Sequence, residues 1–290
     1  MISVIVCSVN KPGRAAFAEQ LQLTIGTAYE LILVENDIKK LPIAAVYNQA
    51  AMTARYPYLC FVHEDVTFHT PGWGKELVQR LEEKKEAGII GLAGATLKTR
   101  NPSPWWITHE DPLATRYRRM HYIQSGAEQT VYGDHDTAFD EVLCLDGFFL
   151  VCSKRTWEMT KFDERILTGF HFYDLDISLA AHAKGLKNYV YKGCRIEHHS
   201  NGSLNEDWVE SAESFHQKWR PQLPVAVAAV PAGDWTRLEK LALVDYIHAL
   251  IRLGYMRKAL SYIARLLTKN KYGQGDGQVI KAYIRRLLHL

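Results

Sequence analysis

Three ionisable residues, His63-Glu64-Asp65, follow directly on the apolar run Tyr58-Leu59-Cys60-Phe61-Val62. Charged groups at the mouth of a buried strand are costly unless they bind something. A carboxylate such as Asp65 can hold a hard divalent cation, which in turn grips a diphosphate. It can also simply cap the following turn. A second cluster is Arg195-Ile196-Glu197-His198-His199, followed by Ser200-Asn201-Gly202-Ser203. Adjacent residues of a strand point to opposite faces, so at most one of the two histidines faces a shared site. A third is Tyr173-Asp174-Leu175-Asp176, opening a helix-like segment that ends near Gly185. Carboxylates there suit the helix dipole and serve as caps; the same dipole keeps an Asp ionised, as a general base requires. The runs ending in Cys7-Ser8-Val9-Asn10 and Val34-Glu35-Asn36-Asp37 offer carboxylates for ribose hydroxyls and amides for a base edge, or turn caps.

The elements that must position these groups alternate. Apolar, β-branched runs predict strands over residues 3–7, 30–34, 58–62, 89–93, 142–151 and 188–197, with helices over 14–23, 43–54, 74–85 and 174–183. This pattern predicts a mostly parallel α/β sheet, Rossmann-like and covered on both faces, with its site at the carboxyl ends of the strands. Residues 98–140 break the rhythm and are too long for an ordinary connection, which marks a functional loop or subdomain. Trp105 and Trp106 lie in it, as sugar-stacking platforms or as packing anchors. Three prolines in residues 221–234 read as a linker, which divides the chain into 1–220, 221–234 and a helical appendage over 235–290. From Arg237 onward eleven basic residues face three acidic ones, a net +8, on segments whose apolar residues recur at helical spacing. Such helices can cap the main domain, dock on an anionic membrane or form a homodimer.

Composition bounds the rest. A chain of 290 residues, 47% hydrophobic and 23% charged, can bury a substantial core without staples. A net charge of +3 does not argue for nucleic acid. Cys7, Cys60, Cys144, Cys152 and Cys194 lie in or beside apolar runs without a C-x-x-C pair, and read as reduced core residues. With no basic n-region, no cleavage site and no apolar run near the ~20 residues that span a bilayer, the expected location is cytoplasmic, at or near the inner face of a membrane. A dinucleotide oxidoreductase would need G-x-G-x-x-G after the first strand, where Cys7-Ser8-Val9-Asn10-Lys11-Pro12-Gly13 stands instead. Lys11-Pro12-Gly13-Arg14 is likewise a poor phosphate loop for a nucleotidyltransferase.

Taken in order, the segments resemble the inverting family 2 glycosyltransferases of the bacterial branch that builds surface polysaccharides. Ser3-Val4-Ile5-Val6-Cys7-Ser8-Val9-Asn10 resembles the family's opening strand, and Leu33-Val34-Glu35-Asn36 its second, with Glu35 where an aspartate contacts the nucleoside. Phe61-Val62-His63-Glu64-Asp65-Val66 occupies the place of D-x-D, and Leu145-Asp146-Gly147-Phe148-Phe149 that of the acceptor-side strand. Tyr173-Asp174-Leu175-Asp176 resembles the E-D-x-D helix start, and His198-His199 with Gly202-Ser203 the late metal-binding turn. The similarity covers residues 1–220 and departs twice: His63 replaces the first aspartate of D-x-D, and Tyr173 the glutamate before the base.

The resemblance implies a GT-A fold and transfer of a sugar from a nucleotide-diphosphate donor to a hydroxyl of a glycan or lipid-linked acceptor. It implies donor binding by Ser8, Asn10, Glu35, Asn48, Glu64 and Asp65, and acceptor binding by Trp105, Trp106, Asp146 and Gly147. Asp65 and His198 would hold Mn²⁺ or Mg²⁺; Asp174 would be the base, with Asp176 sharing the role or orienting the acceptor. A catalytically silent relative that only holds the nucleotide sugar is the competing reading.

Overall fold

A computed structural model describes residues 1–107, 111–131, 133–134, 136–200, 202, 204–269 and 276–287. Asn201 and Ser203 of the late turn and Lys271 of the basic segment lie outside them. In chain order the first elements are β1 (Ile2–Ser8), α1 (Arg14–Thr24), β2 (Tyr29–Glu35), α2 (Ile43–Thr53), β3 (Tyr58–Val62), β4 (Val66–Phe68), α3 (Trp73–Glu83), β5 (Ala87–Gly91), β6 (Ala93–Ala95) and β7 (Leu97–Lys98). Then follow α4 (Pro112–Arg116), β8 (Arg118–Gln124), β9 (Ala127–Val131), β10 (Phe139–Val142), β11 (Cys144–Leu145), β12 (Phe149–Ser153), α5 (Lys154–Thr160) and α6 (Tyr173–Ala183). The chain continues through β13 (Lys187–Tyr191), β14 (Ile196–His198), α7 (Glu206–Trp219), β15 (Val225–Ala226), α8 (Ala232–Arg252), α9 (Met256–Lys269) and α10 (Asp276–Leu287).

The main sheet has the order β10-β13-β5-β12-β3-β1-β2. β1, β2 and β3 run parallel, as do β5 and β13, whereas β12 is antiparallel to both β3 and β5. Strands buried on both faces must be apolar throughout, and Ile2, Val4, Ile5 and Val6 of β1 are fully buried. On one face Phe17 of α1 and Trp73 of α3 pack on Phe68, and Trp73 also meets Phe149. On the other, Tyr47 of α2 and Tyr173 of α6 close over Phe61 and Phe162.

Three runs expected to be single strands are divided between two sheets. Residues 142–151 split into the end of β10, β11 and most of β12; residues 89–93 and 188–197 likewise pass from the main sheet into a second one of order β11-β6-β8-β14-β4. An apolar run reads as continuous in sequence because each sheet buries its share. The breaks come where the backbone changes partner, as at Asp146, whose N–H donates to Ala93 O at 2.8 Å. The long segment 98–140 supplies part of the second sheet. Its β8–β9 hairpin turns on Ser125 (φ +46°) and Gly126 (φ +85°), the two left-handed residues of a type I′ turn.

α8 clamps the start of that segment. The Glu239 carboxylate accepts from Arg100 N at 2.6 Å and Asn101 N at 3.0 Å, and Tyr117 Oη donates to Asp234 Oδ2 at 2.7 Å. Tyr246 and Ile247 of α8, Ala259 and Ile263 of α9 and Val279 of α10 belong to the same buried apolar cluster as the sheet. Among the described residues all five cysteines are free thiols, four of them buried, and no helix is long and apolar enough to cross a membrane.

Candidate active site

β3 delivers His63 to the carboxyl edge of the sheet. Because β12 runs antiparallel to β3, with Phe149 opposite Val62, the turn that precedes β12 lands at the same edge; His63 N–H donates to Phe148 O at 3.0 Å. β14 pairs antiparallel with β4, placing His198 opposite Val66 and drawing His199 N–H onto Asp65 O at 3.0 Å. His63, Asp65 and His198 thus each offer a donor atom, all within 4.8 Å of one another. His198 Nε2 lies 3.5 Å and His63 Nδ1 3.9 Å from Asp65 Oδ1. His198 stacks on Phe148 at 4.8 Å and 12°, and its carbonyl is held by Gln124 and Ser125. His199 faces away, toward Thr67, as the alternation of a strand requires.

This group fits a divalent cation. Ligands of one ion at about 2.0–2.2 Å lie within about 4.4 Å of one another, so small side-chain shifts bring these donor atoms to a common ion. Burial opposes the charge on Asp65, but hydrogen bonds from His198 and Ser200 and the two imidazoles outweigh it and hold the carboxyl well below the usual carboxylate range. Burial, with His198 alongside, lowers the pKa of His63 and favours the neutral imidazole that a metal needs. His63 is the member that the resemblance left out of the ligand set.

Asp174 enters through its neighbour Tyr173, whose hydroxyl lies 2.8 Å from His63 Nε2 and donates to Gly147 O at 3.1 Å. The Asp174 carboxyl is pushed up to about 8, first by burial and then by Asp146; hydrogen bonds from backbone amides, including that of Gly147, offset only part of this. The expectation that the helix N-terminus keeps Asp174 ionised is therefore corrected: burial and Asp146 outweigh the backbone hydrogen bonds at the helix start. Asp146 accepts from Trp105 Nε1 at 2.6 Å and from Phe148 N at 3.2 Å. Trp105 is buried and packs edge-on against half-buried Trp106 at 5.1 Å, so Trp105 anchors the loop and orients Asp146. Asp176 points to α7. Trp219 Nε1 donates to its Oδ1 at 2.7 Å and Lys218 Nζ to its Oδ2 at 2.9 Å, which makes it an anchor between two helices.

The residues read as donor contacts divide in the same way. Ser8, Asn10 and Glu35 lie at the carboxyl ends of β1 and β2, with Glu35 and Asn10 exposed. Glu64 is a clasp: it accepts from Ser8 Oγ at 2.6 Å and from the amides of Val9 and Asn10 at 2.9 Å, tying the β1 turn to the end of β3. Asn48 is spent inside the fold. It donates to Phe162 O at 2.8 Å and accepts from Trp157 Nε1 at 3.1 Å and Phe162 N at 3.2 Å, latching the segment after α5. Arg14, which as part of Lys11-Pro12-Gly13-Arg14 makes a poor phosphate loop, reaches Ser8 Oγ at 2.9 Å, Glu35 Oε1 at 2.9 Å and Asp37 Oδ1 at 3.3 Å. Its position at the start of α1, just after the β1 turn and facing Glu35 and Asp37 at the end of the neighbouring strand, was the available signal.

The solved structure of GalNAc-T7 with UDP, GalNAc and Mn²⁺ is similar over 99% of this chain, with 8% identity and a TM-score of 0.50; this chain spans 55% of it. A197 from STIV is similar over 69% of this chain and 86% of its own, with 12% identity and a TM-score of 0.39. No protein of curated function matches the sequence. The model of the Glycosyltransferase like family matches residues 3–219, from β1 to the end of α7. With this match over most of its length and a GT-A fold, the chain belongs to that glycosyltransferase-like family.

Proposed function

We propose that the protein transfers a sugar from a nucleoside-diphosphate donor to a hydroxyl of a glycan or lipid-linked acceptor, in a single displacement with inversion. The observation that carries this reading is the meeting of His63, Asp65 and His198 at the strand ends, one residue from Asp174 through Tyr173. A divalent cation bound there supplies Lewis-acid stabilisation of the charge that develops on the leaving diphosphate. Two imidazoles and one carboxylate favour Mn²⁺ over Mg²⁺, which prefers an all-oxygen shell. Asp174 accepts the proton of the acceptor hydroxyl; a base with a pKa near 8 is well matched to that task near neutral pH. Asn10 and Glu35, with Arg14 bracing Glu35, hold the nucleoside, while buried Ser8 fixes the β1 turn through Glu64 and Arg14.

The basic α8–α10 region supports a peripheral position at an anionic membrane surface on the cytoplasmic side, in synthesis of cell-surface polysaccharide. Leu260 and Leu267 of α9 and Ile284 and Leu287 of α10 are exposed among Arg257, Lys281, Arg285 and Arg286. The enzymatic reading is tested by incubating the full chain with UDP-, GDP- and dTDP-sugars in Mn²⁺, Mg²⁺ or EDTA and measuring nucleoside-diphosphate release. Release with one donor class, strongest in Mn²⁺ and lost in EDTA, is expected. Tight nucleotide-sugar binding without release across acceptors would favour the silent relative instead.

A further inference from the structure

The two positions at which this chain departs from the family pattern touch each other. His63 and Tyr173, 110 residues apart in sequence, meet at 2.8 Å between Nε2 and Oη. Tyr173 is 3% exposed and its ring is wedged against Tyr47 and Phe162, with centroids at 5.8 and 5.9 Å, so its hydroxyl has little freedom. That hydroxyl has one proton, and the Gly147 carbonyl 3.1 Å away can only accept it. With the proton given to Gly147, the phenol oxygen must accept from His63 Nε2–H. A neutral imidazole carries one N–H, so Nδ1 is left with its lone pair. Nδ1 is the nitrogen on the Asp65 side of the ring.

We propose that Tyr173 is a positioning residue that holds His63 as its Nε2–H tautomer, making Nδ1 the ligand atom that replaces an aspartate oxygen in the cation site. This rests on the cation reading above. A carboxylate ligand has no tautomer to set, whereas a histidine ligand does, and its outer partner usually sets it. Tyrosine does this without adding a further charge beside Asp65, Asp146 and Asp174. The backbone is shaped for the relay. A Cβ on Gly147 would lie 2.2 Å from Tyr173 Oη and 2.6 Å from Cζ, so only glycine lets the phenol reach both partners. Phe172, immediately before Tyr173, is held at φ +64° by packing against Trp208 and Phe215, at 5.7 and 5.3 Å.

The experiment is a double-mutant cycle on the full chain, measuring Mn²⁺ affinity by titration calorimetry for wild type, Tyr173→Phe, His63→Asp and the double variant. Long-range ¹H–¹⁵N spectra of the metal-free protein read the His63 tautomer. Removing the hydroxyl should weaken Mn²⁺ binding about 10–100-fold in the histidine background, and less than about twofold with Asp at position 63, where no ring is left to orient. The spectra should show Nε2–H in wild type and a mixture in Tyr173→Phe. An Nδ1–H tautomer in wild type, or equal losses in both backgrounds, overturns the proposal and leaves the cation reading intact. If the wild-type chain binds no Mn²⁺, the cation reading fails, and the ligand assignment with it.

Discussion

Replacing Asp174 by Asn should destroy activity and raise stability, and the gain should depend on pH. In the folded chain the carboxyl titrates at about 8, against an ordinary 3.8. A raised folded pKa means that the native state binds the proton more tightly than the unfolded chain does. The stability supplied by that proton is fully present below about pH 4 and is lost as pH rises toward 8. Each pH unit in that window costs about 1.4 kcal/mol, so at pH 7 the native aspartate is worth roughly 4 kcal/mol less than a side chain that never ionises. Asparagine has nearly the same shape and can keep the hydrogen bond that Asp174 Oδ1 accepts from Leu175 N at 2.9 Å. The assay is thermal unfolding of both proteins in EDTA at pH 5, 6, 7 and 8. The difference in Tm should grow from about 2–3 °C at pH 5 to about 7 °C by pH 7, while turnover falls about a hundredfold or more. A Tm difference that does not change with pH, or a variant less stable than wild type throughout, would refute the burial argument.

Three further outcomes follow from the same site and a fourth from the basic C-terminal helices. The kcat/KM profile of the wild type should rise about tenfold per pH unit below the Asp174 pKa and level off near pH 8; a flat profile from pH 5 to 8 removes Asp174 as the base. Mn²⁺ at about a hundred times its Kd should stabilise the wild type by about 2.7 kcal/mol and leave Asp65→Ala unchanged in a melting assay; equal shifts in both would put the cation elsewhere. Asp176→Asn keeps an acceptor for Trp219 but loses the charge that faces Lys218; because burial holds the Asp176 carboxyl above its ordinary value in spite of Lys218, stability should change little, with turnover per folded molecule nearly unchanged; a large fall in kcat would restore Asp176 to the catalytic group. The full chain should sediment with anionic vesicles at low salt and be released at high salt; protein that stays in the supernatant at low salt refutes the membrane reading.

The alternation of apolar runs with helical segments was legible because it reflects local burial. So was the place of the candidate site, since Asp65, His198 and Asp174 each stand where a buried run meets polar residues. Local pattern could not show where a side chain's partner comes from. Glu64 looks like a ligand-binding carboxylate until Ser8, 56 residues earlier, is seen to occupy it. Asn48 is claimed by the backbone of Phe162 and by Trp157, more than a hundred residues on. Asp174 and Asp176 share one helical turn and one residue type, yet α6 turns the first against the Asp146–Gly147 corner and the second toward Lys218 and Trp219.

What the sequence alone determined is the alternation of apolar runs with helical segments, the α/β class and the polar edge on which chemistry could occur; that β10 and β12 run antiparallel to their neighbours, so that the main sheet is mixed and not mostly parallel, was decided by tertiary pairing. Periodicity and burial of neighbouring residues are written in consecutive positions. Only the tertiary structure decided that His63 joins Asp65 and His198, that Tyr173 reaches across to His63, and that burial beside Asp146 overrides the helix dipole at Asp174. Those outcomes are set by distances between residues far apart in the chain and by the water excluded between them, neither of which a local pattern carries.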